Sequence, residues 1–282
     1  MLPRYTTEKV GDGMKEQLER LFDQVQKPAR YTGGELNGVV KRKEEVSVRF
    51  AFCFPDLYEV GMSHLGMKIL YAQFNHEPDI WCERVFAPDT DMEQKMREAG
   101  IPLFALESRD PLTDFDFVGF TLQYEMSYTT VLSMLELAGI PLRAEERDES
   151  WPLVVAGGPC VCNPEPLCDF FDLFFLGEGE EVDLEVMRLY QRHRDSGHYD
   201  KQAFLREAAQ IEGVYVPSLY EVTYHGDGTV AAVTPQSGIP ATVRKRIIRD
   251  LDSVYYPEYF VVPFAEIVHD RAVSEIFRGC IR

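Results

Sequence analysis

Apolar residues along this chain fall into short continuous runs, and stretches with apolar positions at a spacing of three and four separate them. Val46–Pro55 alternates and then runs apolar, which predicts a first strand. Ser63–Asn75 follows with Leu65, Ile69, Leu70 and Phe74 on one helical face, and Ser63 is the expected N-cap. Ile80–Phe86 reads as a second strand, and Asp89 opens a helix that stops at Gly100. Phe115–Leu122, Pro152–Ala156 and Asp172–Leu176 are further apolar runs, and helical patterns follow the first and the last. A buried parallel strand reads as an unbroken apolar run. Strands alternating with helices therefore predict an α/β class, a doubly wound (flavodoxin- or Rossmann-like) parallel sheet of about five strands.

Flanking segments differ in pattern. Residues 1–45 form an N-terminal arm with a helix at Lys15–Gln26, and the sheet domain spans 46–197. Residues 198–270 read as an α+β connector, with a helix at Asp200–Glu212 and an extended pair from Val214 to Val233 around His225-Gly226-Asp227-Gly228. Val273–Phe277, within 271–282, reads as one more strand.

Composition narrows the function classes. With 282 residues and 45% apolar content the chain can bury a large core. Its formal charge of −18 opposes nucleic-acid backbones and anionic membranes. No run approaches the roughly 18 apolar residues of a membrane span, and the N-terminus lacks a secretory h-region. The expected location is cytoplasmic, with the six cysteines as reduced thiols. Cys160, Cys162 and Cys168 lack the CxxC spacing that grips one metal ion. There is no GxGxxG after the first strand, no GxxxxGK[ST] and no GxSxG elbow.

The chemistry concentrates in Leu153–Glu181. Gly157-Gly158-Pro159 closes one strand, and Gly177-Glu178-Gly179 closes the next. Two readings are open. The glycines make tight strand-to-helix turns, or they let a ligand approach the backbone at the carboxyl edge of the sheet, where open α/β sheets bind ligands.

GGP at 157–159, NPEP at 163–166 and DLFFLGEGEE at 172–181 together resemble the cobalamin-binding-type domain at the N-terminus of B12-dependent radical S-adenosylmethionine (SAM) proteins. PDLYEVGMSHLGMKILY at 55–71 and the stretch 115–141 agree with it, and EIFRGCIR at 275–282 resembles the entry to the radical SAM barrel. The resemblance implies that a cobalamin tail passes Gly157, Gly158, Pro159, Gly177 and Gly179. Ser127, Thr129 and Thr130 would then offer hydroxyls to it, and Ser63 and His64 would lie in the loop after the first strand. It also implies that Cys280 is the first of three ligands to a [4Fe-4S] cluster that binds S-adenosylmethionine, with the barrel supplied in cis or by a split downstream chain. This chain would then carry no radical chemistry alone. One departure stands out: the loop reads Gly61-Met62-Ser63-His64-Leu65-Gly66, without the aspartate of a DxHxxG cobalt-ligand motif. The competing expectation is a cofactor-free flavodoxin-like domain that packs against the barrel.

Overall fold

A computed structural model describes residues 11–269 and 271–279. Its centre is a six-stranded sheet in the order β2-β1-β3-β4-β5-β6. The strands are β1 (Val48–Phe54), β2 (Ile80–Phe86), β3 (Phe117–Thr121), β4 (Leu153–Gly157), β5 (Leu173–Phe175) and β6 (Val214–Tyr215). The first five are parallel, and β6 runs antiparallel to β5. Every residue of β1, β2 and β3 is buried, which is why those segments read as apolar runs without alternation.

The order β2-β1-β3-β4-β5 is compatible with a doubly wound sheet, whose direction of winding reverses between β1 and β3. Parallel crossovers are right-handed, so a helix leading leftward from β1 to β2 and one leading rightward from β2 to β3 lie on opposite faces. Helix α3 (Leu65–His76) takes the first connection, and α6 (Gly179–Asp195) packs beside it, with Gln73 Nε2 donating to the Glu180 carbonyl at 2.7 Å. Helices α4 (Thr90–Ala99) and α5 (Tyr128–Leu137) take the other face, joined by an Arg97–Glu136 ion pair at 3.1 Å. Helix α4 starts on Asp89 and ends on Gly100 at φ 65°, as its sequence predicts.

The arm helix α1 (Gly11–Phe22) ends before the expected Gln26 and buries Leu18, Leu21 and Phe22 in the same core. A one-turn helix α2 (Tyr58–Gly61) precedes α3. The N-cap of α3 is His64 and not Ser63: the Met67 amide donates to His64 Nδ1 at 3.1 Å. Ser63 Oγ donates to the Glu59 carbonyl at 2.7 Å instead.

The connector departs from the expectation in two places, and the segment after it in one. Its helix α7 spans Lys201–Ala208 and stops short of Glu212. The extended pair is split: Val214–Tyr215 joins the main sheet, Pro217 breaks the run with a turn, and β7 (Tyr220–Tyr224) pairs with β8 (Val230–Pro235) as a separate hairpin. Residues 273–277 form no strand, because a strand needs a neighbouring edge and this segment pairs with none among the described residues. Ile276 and Phe277 are exposed. Cys280 lies outside the described residues.

Candidate functional site

A cavity of about 170 Å³ lies at the carboxyl ends of β1, β3, β4 and β5, beneath the first turns of α3 and α6. Its walls are the side chains of Phe50, Phe52, Val155 and Phe175, all from the sheet face under those helices. Gly157, Gly158, Gly177, Gly179 and His64 all border it, so the fold brings half of the expected cobalamin-site residues together. Ser127, Thr129 and Thr130 line a separate, more open cleft of about 490 Å³ between the starts of α4 and α5. Asp56, Asp89 and Glu93 share that cleft, and Ser127 Oγ is already committed to the Tyr124 carbonyl at 2.7 Å. Pro159 opens a 3-10 turn outside both spaces, and Ser63 faces neither.

The glycines differ in what their missing side chains would meet. At Gly158, with φ 99°, a Cβ would lie 2.7 Å from the Leu122 carbonyl oxygen, because the 122–123 loop crosses there. At Gly177, with φ 109°, it would run into the backbone of Arg246. The connector crosses this strand end with Arg246 N donating to the Leu176 carbonyl at 2.8 Å and Glu178 N to the Arg246 carbonyl at 3.1 Å. The chain's own backbone explains these two glycines. Gly157 is different. Its φ is not positive, and a Cβ there would meet Phe175 Cβ alone, at 3.9 Å. The space above it belongs to the cavity.

His64 is held by its capping role. Because Nδ1 accepts from the Met67 amide, the neutral ring carries its proton on Nε2, a tautomer assigned from the hydrogen-bond pattern. Burial lowers its pKa, and Gln123 at the cavity rim partly offsets this. Neither nitrogen then offers a free lone pair, so His64 does not fit the role of a cobalt ligand while it caps α3.

Three residues escaped the sequence reading. Gly119 is a glycine because the Phe50 ring lies over it. Gln123 approaches His64 from the loop after β3. Asp183, on α6, borders the cavity at 7% exposure, and its Oδ1 has no hydrogen-bond partner among the described residues. Burial pushes its pKa well up, and Glu180 adds to the shift. A signal for Asp183 existed: it falls in the buried stripe of α6 with Val186, Met187 and Tyr190.

No group of three His, Cys, Asp or Glu residues is placed to hold a metal ion among the described residues. No described helix is long and apolar enough to cross a membrane.

The class the structure defines is an α/β domain with a glycine-bordered cavity at the carboxyl edge of a mostly parallel sheet. The family described as radical SAM proteins, N-terminal, matches residues 66–217, which hold all the sheet-edge glycines, and the chain belongs to that family. It is similar to an uncharacterized protein of Methanocaldococcus jannaschii, 26% identical over 220 residues, covering 74% of this chain and 42% of that protein. The chain thus spans less than half the length of that relative. No solved structure matches.

Proposed function

We propose that this chain is the cofactor-holding N-terminal domain of a radical SAM protein, and that the ring tail of a cobalamin enters the cavity above Gly157. The observation that carries the reading is the unfilled space at Gly157, a cradle that a Cβ would enter without striking the chain's own backbone. A cavity of about 170 Å³ is far smaller than the several hundred Å³ of a whole-ligand site. It suits one ring system, since an apolar cavity of about 150 Å³ admits benzene. In the whole protein the corrinoid would supply methyl transfer or a related rearrangement. Phe50, Phe52 and Phe175 would enclose the tail and exclude water. His64 would remain the cap of α3. The [4Fe-4S] cluster and S-adenosylmethionine belong in this reading to the barrel, with Cys280 as its first ligand.

Titration with hydroxocobalamin, followed by its visible spectrum, tests the reading. Saturable binding is expected, and Gly157→Val should weaken it at least about tenfold, roughly 1.4 kcal/mol, with folding retained. Absence of binding at saturating cobalamin would sink it.

A second reading is favoured by Phe50, whose ring already fills the hollow at Gly119 and stacks on Phe117 at 5.9 Å. In it the domain holds no cofactor and packs against the barrel through exposed apolar side chains such as Tyr259, Phe264, Ile276 and Phe277. Gly157→Val would then alter stability alone.

A further inference from the structure

We propose that a second cleft, between α3 and the returning segment 255–261, binds a flat aromatic ring that carries one negative charge, with the ring against the tyrosines and the charge on Lys68. The cleft measures about 660 Å³, the size of a whole small-ligand site, and shares no lining residue with the cavity at the sheet edge. One wall is a side of α3 on which Lys68, Ala72 and His76 recur every fourth residue. The other is aromatic. Tyr255 stacks on the His76 ring with centroids 4.5 Å apart, and Tyr256 meets Phe260 edge-on at 5.9 Å. Tyr259 lines the cleft and is 74% exposed, so its ring face is open to a second ring.

Several polar groups of the cleft are spent on holding its shape. The Asn75 amide group donates to the Tyr71 and Cys82 carbonyls and accepts from the Cys82 amide. The Tyr71 hydroxyl accepts from the Val39 amide at 2.8 Å, and Asn37 pins the aromatic wall through the Phe260 carbonyl. Lys68 differs. It is half-buried, and its ammonium has neither acceptor nor counter-ion among the described residues. Burial lowers its pKa with no opposing contribution. Lys41, which burial also lowers, bonds the Glu77 and Ile80 carbonyls at 2.5 Å instead. A cation that gives up water without gaining an acceptor favours an anion beside it. The lining holds no other lysine or arginine, and its one acid, the exposed Glu258, makes no ion pair with Lys68. A second negative charge on the ligand would meet Glu258 and no further cation. The complement is therefore a singly charged ring compound and not a polyphosphate.

Two charged rings are compared with their uncharged counterparts, indoleacetate with indoleacetamide and cyclic AMP with adenosine, by chemical-shift titration of the chain. At least one anion should bind about tenfold more tightly than its counterpart, the value of a charge-assisted hydrogen bond, and the preference should shrink as salt is raised. A preference for indoleacetate alone identifies an aromatic carboxylate as the source, and one for cyclic AMP alone a nucleotide phosphodiester. Lys68→Met and Lys68→Gln should each abolish the preference and leave the uncharged rings bound as before, whereas Lys68→Arg should keep it within about threefold. Tyr259→Ser should weaken all four compounds at an unchanged melting temperature, because the side chain is mostly exposed. The inference is overturned if neither anion binds more tightly than its counterpart, if the Lys68 variants keep the preference, or if Tyr259→Ser leaves all four compounds unaffected. Because the two sites share no lining residue, these outcomes are independent of the hydroxocobalamin titration.

Discussion

Gly157, Gly158 and Gly177 are one letter in the sequence and three situations in the fold. Gly158 and Gly177 occupy left-handed backbone and leave no room beside crossing backbone, whereas Gly157 has neither constraint. Gly158→Ala and Gly177→Ala should each cost about 1–3 kcal/mol, read as a lower urea midpoint at unchanged slope. Gly157→Ala should stay within about 1 kcal/mol of the native chain in the same measurement. A different residue-scale effect is set by Glu83, fully buried in β2. Burial raises its pKa to about 7, although Arg49 and Ser108 both favour the charged form. The folded protein then holds this proton more tightly than the unfolded chain, whose value is near 4.5. The stability it contributes is complete below about pH 4.5 and is lost as pH rises toward 7. Glu35, Asp79 and Asp110 are held below their ordinary values by Arg84, Arg188 and the Lys43–Arg49 pair, despite the opposing effect of burial. Their contribution is lost in the opposite direction, as pH falls through the acid range. Melting temperature against pH should therefore show a falling component between pH 4.5 and 7 that Glu83→Gln removes.

At the scale of elements, side chains that join one segment to another fix the packing. Asp172, at the start of β5, accepts from the Val154 amide at 2.7 Å and pairs with Arg147 at 3.0 Å and Lys201 at 2.8 Å, all three side chains nearly inaccessible. One carboxylate thus ties β4, β5, the 141–147 loop and the start of α7. Asp172→Ala would leave two buried cations without their counter-charge, and the expected loss is about 3–5 kcal/mol by chemical denaturation. Phe50 and Gly119 form a second such pair across β1 and β3. Gly119→Ala overlaps the Phe50 ring and should destabilise, and Phe50→Leu should relieve much of that cost when combined with it. A double-mutant cycle checks the coupling, which would be near zero if the two residues were independent.

The whole molecule is organised by the return of its connector over the sheet edge. Arg246 pairs with Glu181 and Glu185, both at 2.6 Å, and Leu36 bridges to Val262 across the chain from the arm. Asn37 Nδ2 donates to the Phe260 carbonyl at 2.8 Å. These ties cover the Gly177 end of the cavity's rim and leave the β7–β8 hairpin exposed, with its turn at His225–Thr229. Limited proteolysis should cut first at residues 225–229 and spare 243–248. Early cleavage at 243–248 would show that the strap is loose in solution.

The sequence by itself determined the class of fold. Continuous apolar runs, their spacing, Asp89 and Gly100 at the ends of α4, and glycines closing two strands are local signals, and they survive intact in the structure. It also put Gly157, Gly158, Gly177 and Gly179 at strand ends, where they border the cavity at the carboxyl edge of the sheet. Tertiary structure alone decided what each residue does there. Whether a glycine faces backbone or open space depends on Leu122 and Arg246, which lie 36 and 69 positions from Gly158 and Gly177. The hydroxyls of 127–130 and the glycines of 157–179 separate because α5 and α6 stand on opposite faces: crossover handedness sets the face of α5, and α6, which leads to an antiparallel strand, packs beside α3 on the other. His64 became a cap through one local bond to Met67 that its motif did not announce. The stripe of α6 that holds Val186, Met187 and Tyr190 marks Asp183 for burial, but not the company it keeps there. Packing of α6 against α3 and the sheet leaves its Oδ1 without a hydrogen-bond partner among the described residues.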